Sequence, residues 1–435
     1  TGSFPTIPHR TDVTTGRLGW PRYGWQDLAR CSRNAMPSLL ASQGYATQLI
    51  CDCPHLFNSG FQRTFQAAFQ HRGQEGDKPL LHLNDPIAEV QPLEKTRALP
   101  LFHGRPLGDV HRWTNRYYRN ESETFAMKTA ATAVRFLEEN HAVSPFFLWV
   151  DFFDPHEPWD PPEYMVRRYQ ETYAGLPMLH PNYGRSADYT ADELCNLWAH
   201  YAAESELVDR ALGRVLQKID DLRLWEDAVV VVTADHGTSV GEHGRTGKTN
   251  ISSGDDRYWP LYPEVSHVPF LVAGSGVPRG ASVGAIAQPH DILPTLCELA
   301  GVTVDPAEAI EGTSFAEAVL GKRDTHRDCA LSASHADWPR GLEEGAPRAG
   351  STTPFLTTEK WGFTPLGPAG SPELFDLAAD PLAEKNCADD APSELKEMTE
   401  RFMAHLAGLP ESDAVVAYWR QVLSPGKGGP VTPVA

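Results

Sequence analysis

The segment Ala228-Val229-Val230-Val231-Val232 constrains this chain more than any other. Four consecutive β-branched valines read as a buried strand of a parallel sheet, where both faces are covered and a strand need not alternate. Thr233-Ala234-Asp235-His236-Gly237 follows directly, so a carboxylate and an imidazole leave the strand at its carboxyl end. Open α/β sheets bind their ligands at that end. An aspartate beside a histidine is half of a divalent-cation site. Gly241-Glu242-His243-Gly244 and then Lys248 add an imidazole and a cation to the same loop. A lone Asp-His pair is usually just a polar strand exit. Several chemically matched groups behind one strand end point instead to a reactive site.

Strand-type and helix-type segments alternate along most of the chain, which implies an α/β fold with a mostly parallel central sheet flanked by helices. Apolar strands are expected near 45–51, 146–150 and 269–272, and helices near 27–43, 121–140, 191–224 and 291–300. In the 191–224 segment Leu194, Leu197, Trp198, Tyr201, Val208, Leu212, Val215 and Ile219 form an apolar stripe. After about residue 320 the segments become short and turn-rich, at 329–332, 354–358, 361–364 and 373–377, with a helix near 393–406. The expected organisation is a catalytic domain over 1–320 and a small antiparallel-sheet α+β subdomain with a Pro- and Gly-rich tail over 321–435. A chain of 435 residues exceeds the size at which one core keeps growing.

The net charge is −19, which disfavours nucleic acid or an anionic membrane as partner. A small anionic substrate stays compatible, because local cations outweigh the global field. The seven cysteines are odd in number and irregularly spaced, which points to reduced thiols and a cytoplasmic setting. Cys51-Asp52-Cys53-Pro54-His55 carries metal-type side chains, but no second cysteine pair lies nearby, so it is not read as a zinc site. No apolar stretch has membrane-spanning length, and no signal-peptide pattern is visible. Oligomeric state is not legible.

Near the start stand Thr6-Ile7-Pro8-His9-Arg10 and Thr14-Thr15-Gly16-Arg17. A hydroxyl, a proline and an arginine at this spacing can set a nucleophile at a helix start, where backbone N–H groups and the guanidinium stabilise negative charge. Together with the other segments, the chain resembles the sulfatase family of the alkaline-phosphatase superfamily. Thr6-x-Pro8-x-Arg10 with Thr15-Gly16-Arg17 is similar to that family's nucleophile signature. Asp154-Pro155-His156-x-Pro158-Trp159 resembles its histidine loop. Asp235-His236 with Gly241-Glu242-His243-Gly244 and Lys248 resembles its metal-and-lysine segment. His267-Val268-Pro269 begins a strand as in members. Glu373-Leu374-Phe375-Asp376-Leu377 with Asp380-Pro381 is similar to its carboxy-terminal signature.

Two departures shape what the resemblance implies. The family's nucleophile is a formylglycine made from Cys or Ser, and a threonine cannot become that aldehyde hydrate. Thr6 is therefore expected to attack directly, as the unmodified Thr or Ser alkoxide of related superfamily enzymes acting on phosphoryl groups does; this tilts the substrate toward phosphate esters or phosphonates, and the chain is in that respect similar to phosphonate monoester hydrolase and phosphodiesterase-type members. The family also carries an Asp pair on a strand ahead of the nucleophile. This chain starts at Thr1, after that point, and its first strand is expected to be missing.

The resemblance assigns Thr6, Arg10, His156 and Lys248 to catalysis, and Asp235, His236 and Thr6 to a divalent metal: Ca²⁺, Mn²⁺ or Zn²⁺. Arg10 would hold the transferring anion, His156 would protonate the leaving oxygen, and Lys248 would stabilise the transferring charge. His55, His243 and His267 are candidate substrate contacts. The alternatives are a sulfuric-ester hydrolase, a phosphoryl-group transferase and a non-catalytic anion-binding protein. Loops at 56–120, 160–190 and 251–264 are expected to set substrate identity. Trp159, Tyr258, Trp259, Arg63, Arg72 and Arg105 would suit a ring or a second anionic group.

Overall fold

Three parallel strands, in the order Ala67–Gln70, Ala46–Cys51 and Phe146–Asp151, form the sheet that positions the candidate site. In this computed structural model, residues 1–25, 35–75, 77, 84, 86–87, 89–96, 105–116, 118, 120–250, 255–304, 310–334 and 350–424 are described. Side chains alternate along the two longer strands, as the pleat requires. Ile50, Leu148 and Val150 pack beneath the helices Phe125–Asn140 and Ala191–Asp221. Leu49, Cys51, Phe147 and Trp149 turn to the other face, toward Ile7, Val13, Met36, Leu40 and Leu293. Helices on both faces are the α/β arrangement expected. The register sets Cys51 opposite Asp151, so both strands release their chains at one level.

The helix Ala191–Asp221 starts at a capping box, with Thr190 accepting from Glu193 N at 3.3 Å and Glu193 accepting from Thr190 N at 2.8 Å. It stops short of residue 224 because Arg223 adopts a left-handed φ of 56°. Of the helix expected at 27–43, Met36–Ser42 is present, and 26–34 lie outside the described residues, as does the tail from 425.

One sheet expectation needs correcting. Val229–Thr233 pairs antiparallel with Phe270–Gly274, setting Thr233 opposite Phe270. The valines are half-buried rather than buried. A parallel return requires a long crossover, usually helical. The intervening chain instead forms the small hairpin Ser239–Val240 with Thr246–Gly247 and the four-residue helix Pro263–Ser266. It therefore comes back beside the strand in the opposite sense.

The carboxy-terminal segments build an antiparallel sheet of Cys329–Ser334, Phe355–Thr358, Trp361–Thr364 and Glu373–Asp376. The helices Pro392–Gly408 and Asp413–Val422 cover it through Met398, Phe402, Leu406, Val415 and Trp419. The strand Ser3–Phe4 adds parallel to Cys329–Ser334, so the residues just before Thr6 are held by the carboxy-terminal sheet. No helix among the described residues is long and apolar enough to cross a membrane.

Candidate active site

Thr6 opens the helix Thr6–Thr15, every residue of which is buried. Pro8 fits there because the first turn needs no backbone donor. Gly16 ends the helix at φ 66°, donating to Asp12 O at 3.0 Å. Arg10 lies one turn after Thr6 and binds the Thr6 carbonyl through Nη1 at 3.1 Å. Its Nε and Nη2 grip Asp151 at 2.9 and 2.8 Å, and Nη1 also reaches Asp235 Oδ2 at 2.8 Å. One guanidinium thus ties the helix Thr6–Thr15 to the ends of two strands.

Asp235 is strongly biased toward its charged form. Burial opposes ionisation, but His236, Arg10 and His9 together hold the carboxyl well below its ordinary range. His236 Nδ1 lies 2.9 Å from the Gly237 carbonyl, which can only accept, so Nδ1 carries the proton and Nε2 presents a lone pair. That Nε2 is buried, has no hydrogen-bond partner among the described residues and sits 3.8 Å from Asp235 Oδ2. An ionised carboxylate beside an orphaned imidazole nitrogen fits a divalent cation. Gly237 permits the tight path here, since a Cβ at this position would stand 2.0 Å from the Glu264 carbonyl oxygen.

His156 and Lys248 form the second half of the site. Nδ1 of His156 lies 2.5 Å from the Glu157 carbonyl, and Nε2 lies 2.5 Å from Lys248 Nζ. Burial pushes the His156 imidazole down to about 3, with Glu157 opposing and Lys248 reinforcing the shift. The neutral ring therefore donates from Nδ1 and accepts the Lys248 ammonium at Nε2. The Glu157 carboxylate sits 3.4 Å from Lys248 and accepts the Tyr183 hydroxyl. Burial works against the ionised Glu157, but His156 and Lys248 hold its pKa below the usual range. The two halves sense one another: burial lowers the His236 pKa, Asp235 raises it, and Lys248 lowers it further.

The remaining candidates are more dispersed. His55 is half-buried, edge-on to Trp25 at 5.3 Å and 6.3 Å from Phe153, whose ring lies tilted against His156 at 4.2 Å. His243 has both nitrogens engaged, by Glu264 Oε1 at 2.9 Å and the Ala383 carbonyl at 2.8 Å, and it stacks on Tyr262. His267 is exposed at the end of Pro263–Ser266, and the strand behind it begins only at Phe270. Trp159 and Trp259 are core residues, at 0% and 3% exposure, and so do not offer a ring face to a substrate. Arg72 and Arg105 pair with Asp77 and with Glu89 and Asp109.

Several members of the site escape the sequence reading. Asp151 closes a strand in sequence, but its role as the Arg10 clamp shows only in space. Glu157 stands next to His156 in the chain, a hint that proximity alone does not decode. His9, in the same helix as Thr6 and Arg10, has a buried Nδ1 with no hydrogen-bond partner among the described residues. Burial pushes its pKa down to about 3, against the pull of Asp235.

A family profile described as Sulfatase matches residues 4–302. Arylsulfatase K of Xenopus laevis is 25% identical over 342 residues, covering 70% of this chain and 60% of that protein. Choline-sulfatase of Rhizobium meliloti is 26% identical over 278 residues, covering 59% of this chain and 48% of that protein. The chain thus spans less than two thirds of the length of these curated relatives. Among solved structures, phosphonate monoester hydrolase of Agrobacterium radiobacter superposes with a TM-score of 0.66 at 19% identity, covering 95% of this chain and 88% of that one. The corresponding hydrolase of Silicibacter pomeroyi gives 0.63 at 18%, with coverage of 95% and 88%. With the profile spanning more than half of its residues, this chain belongs to the sulfatase family.

Proposed function

We propose that this chain is a metal-dependent hydrolase of small anionic esters that uses the Thr6 hydroxyl as nucleophile and prefers phosphate esters or phosphonates. The observation that carries this reading is the Arg10 clamp, which sets a guanidinium at the helix start beside Thr6 while fixing Asp235. Asp235, His236 and Thr6 would hold a divalent cation, Ca²⁺, Mn²⁺ or Zn²⁺, which supplies Lewis-acid stabilisation of negative charge. Thr6 Oγ1 gives up its proton to solvent water and forms a bond to the phosphorus as the bond to the leaving oxygen breaks, and the electron pair departs with that oxygen. Arg10 and Lys248 stabilise the charge on the transferring group. The His156–Lys248 pair delivers a proton to the leaving oxygen. Water then attacks the phosphorus as its bond to Thr6 Oγ1 breaks, the same pair takes up the water's proton, and Thr6 Oγ1 regains a proton from solvent, which restores the hydroxyl.

The printed names of the sequence relatives favour a second reading, in which sulfate esters are the substrate. Reduced thiols fit a cytoplasmic setting, and all six cysteines among the described residues are free. The net charge of −19 fits a small-molecule partner rather than nucleic acid.

The test is turnover of matched aryl sulfate, phosphodiester and phosphonate substrates by metal-reconstituted protein, with Thr6→Ala beside the natural chain. A phosphoryl preference that disappears in Thr6→Ala supports the main reading. A sulfate preference transfers it to the second. Unchanged turnover in Thr6→Ala removes Thr6 as nucleophile.

A further inference from the structure

We propose that Glu75, Glu157 and His180 form a further cation site, for a borderline divalent ion of the Zn²⁺ class, separate from Asp235 and His236. One ligand atom from each of the three lies within 4.8 Å of the others, the only such trio of His, Cys, Asp and Glu among the described residues. Glu157 and His180 are buried, and the Glu75 side chain is 9% exposed.

Glu157 divides its carboxylate between two tasks. Oε1 takes the Tyr183 hydroxyl and faces Lys248 at 3.4 Å. Oε2 turns the other way. There it and Glu75 Oε2 lie 3.6 and 3.5 Å from a single atom, His156 Nδ1. Two carboxylate oxygens drawn together repel, and a cation between them removes the repulsion.

His180 supplies the nitrogen. Its Nδ1 lies 2.8 Å from the Pro181 carbonyl, which only accepts, so Nδ1 is protonated and Nε2 holds a lone pair. Imidazoles that bind metals are oriented in this way, with the other nitrogen donating to a backbone carbonyl. The ring also stacks on Tyr183 at 5.8 Å, and the Tyr183 hydroxyl anchors Glu157, so donor and carboxylate are held by one neighbour. One imidazole and two carboxylates make a zinc-type donor set. An ion here would pin Glu157, and through it the placement of Lys248, without touching the reacting atoms.

The test is zinc content per chain, measured by mass spectrometry after equilibration with Zn²⁺ and removal of free metal. The natural chain should hold one equivalent more than Glu75→Gln and one more than His180→Gln, and Asp235→Asn should keep that equivalent. Zn²⁺ should raise the melting temperature of Asp235→Asn, but not of Asp235→Asn with Glu75→Gln. These readouts need no turnover, so they stand or fall apart from the Thr6 reading. Equal zinc content in the natural chain and both single variants overturns the site. Should the variants fail to fold, crystals of the natural chain soaked in Zn²⁺ decide. An anomalous peak at the zinc edge beside Glu157 supports the site, and its absence overturns it.

Discussion

Arg10 and Asp151 meet through two hydrogen bonds, Nε to Oδ2 at 2.9 Å and Nη2 to Oδ1 at 2.8 Å, while Nη1 spans to Asp235 at 2.8 Å. The pair is buried, with side-chain exposures of 10% and 5%. A planar fork can grip one carboxylate with two nitrogens and still point a third at another, which a lysine cannot do. Arg10→Lys should fold and lose about 100-fold in kcat/KM. Asp151→Ala leaves a buried guanidinium half-paired and should cost about 3–5 kcal/mol of stability. Steady-state kinetics and urea unfolding check both. Full activity in Arg10→Lys would remove the anion-holding role.

His156 and Lys248 share a 2.5 Å contact and should act as one proton-delivering unit. His156→Asn should slow esters of poor leaving groups by about 10²–10⁴-fold and nitrophenyl esters far less. The check is the dependence of kcat/KM on leaving-group pKa, which should steepen in the variant. An equal loss across the series would mean that the pair serves binding alone.

Gly237 tests the loop that carries the metal-type pair. The added methyl of Gly237→Ala would stand 2.0 Å from the Glu264 oxygen, a backbone atom that cannot swing away. The strain should cost about 1–3 kcal/mol. It should also weaken divalent-cation binding, because Asp235 and His236 move with the loop. Denaturant unfolding and calorimetric metal titration read the two effects. A variant as stable as the natural chain would contradict the close approach.

His243 predicts a pH dependence of stability. Burial is the largest single cause and lowers its pKa, but the hydrogen bond it donates to Glu264, the charge of that carboxylate and the Ala383 carbonyl together outweigh burial, and the net shift is upward. A histidine raised on folding contributes stability that is complete below its unfolded pKa and disappears as pH rises through its folded pKa. The natural chain should therefore lose stability relative to His243→Gln as pH climbs from about 6 upward. Below that window the variant should be less stable by about 1.5–3 kcal/mol, the worth of a hydrogen bond to a charged group. Parallel melting curves at several pH values measure the difference.

The residues that carry local chemistry were legible from order along the chain. Thr6 and Arg10 are one helical turn apart, and Asp235 and His236 leave the end of a valine strand, so neighbouring positions already bring these groups together. The helices at 125–140 and 191–221 were legible for a similar reason, since an apolar stripe at helical spacing needs only its own sequence. The pairing direction of Val229–Thr233 was not legible. A run of valines looks alike in either sense, and the connection back to Phe270–Gly274 sets the direction.

Amino-acid order by itself determined the family's motifs, the alternating α/β architecture and the kinds of group available for chemistry, because these depend on side-chain type and short-range spacing. Tertiary structure alone decided which groups are partners. Asp151 clamps Arg10 across 141 positions, Lys248 meets His156 across 92, and His243 turns to Ala383 across 140. The same is true of Glu75, Glu157 and His180, gathered from distant parts of the chain. Hydrogen bonds and charge pairing act over a few ångströms of space, and only the folded packing of the strands and loops sets those distances.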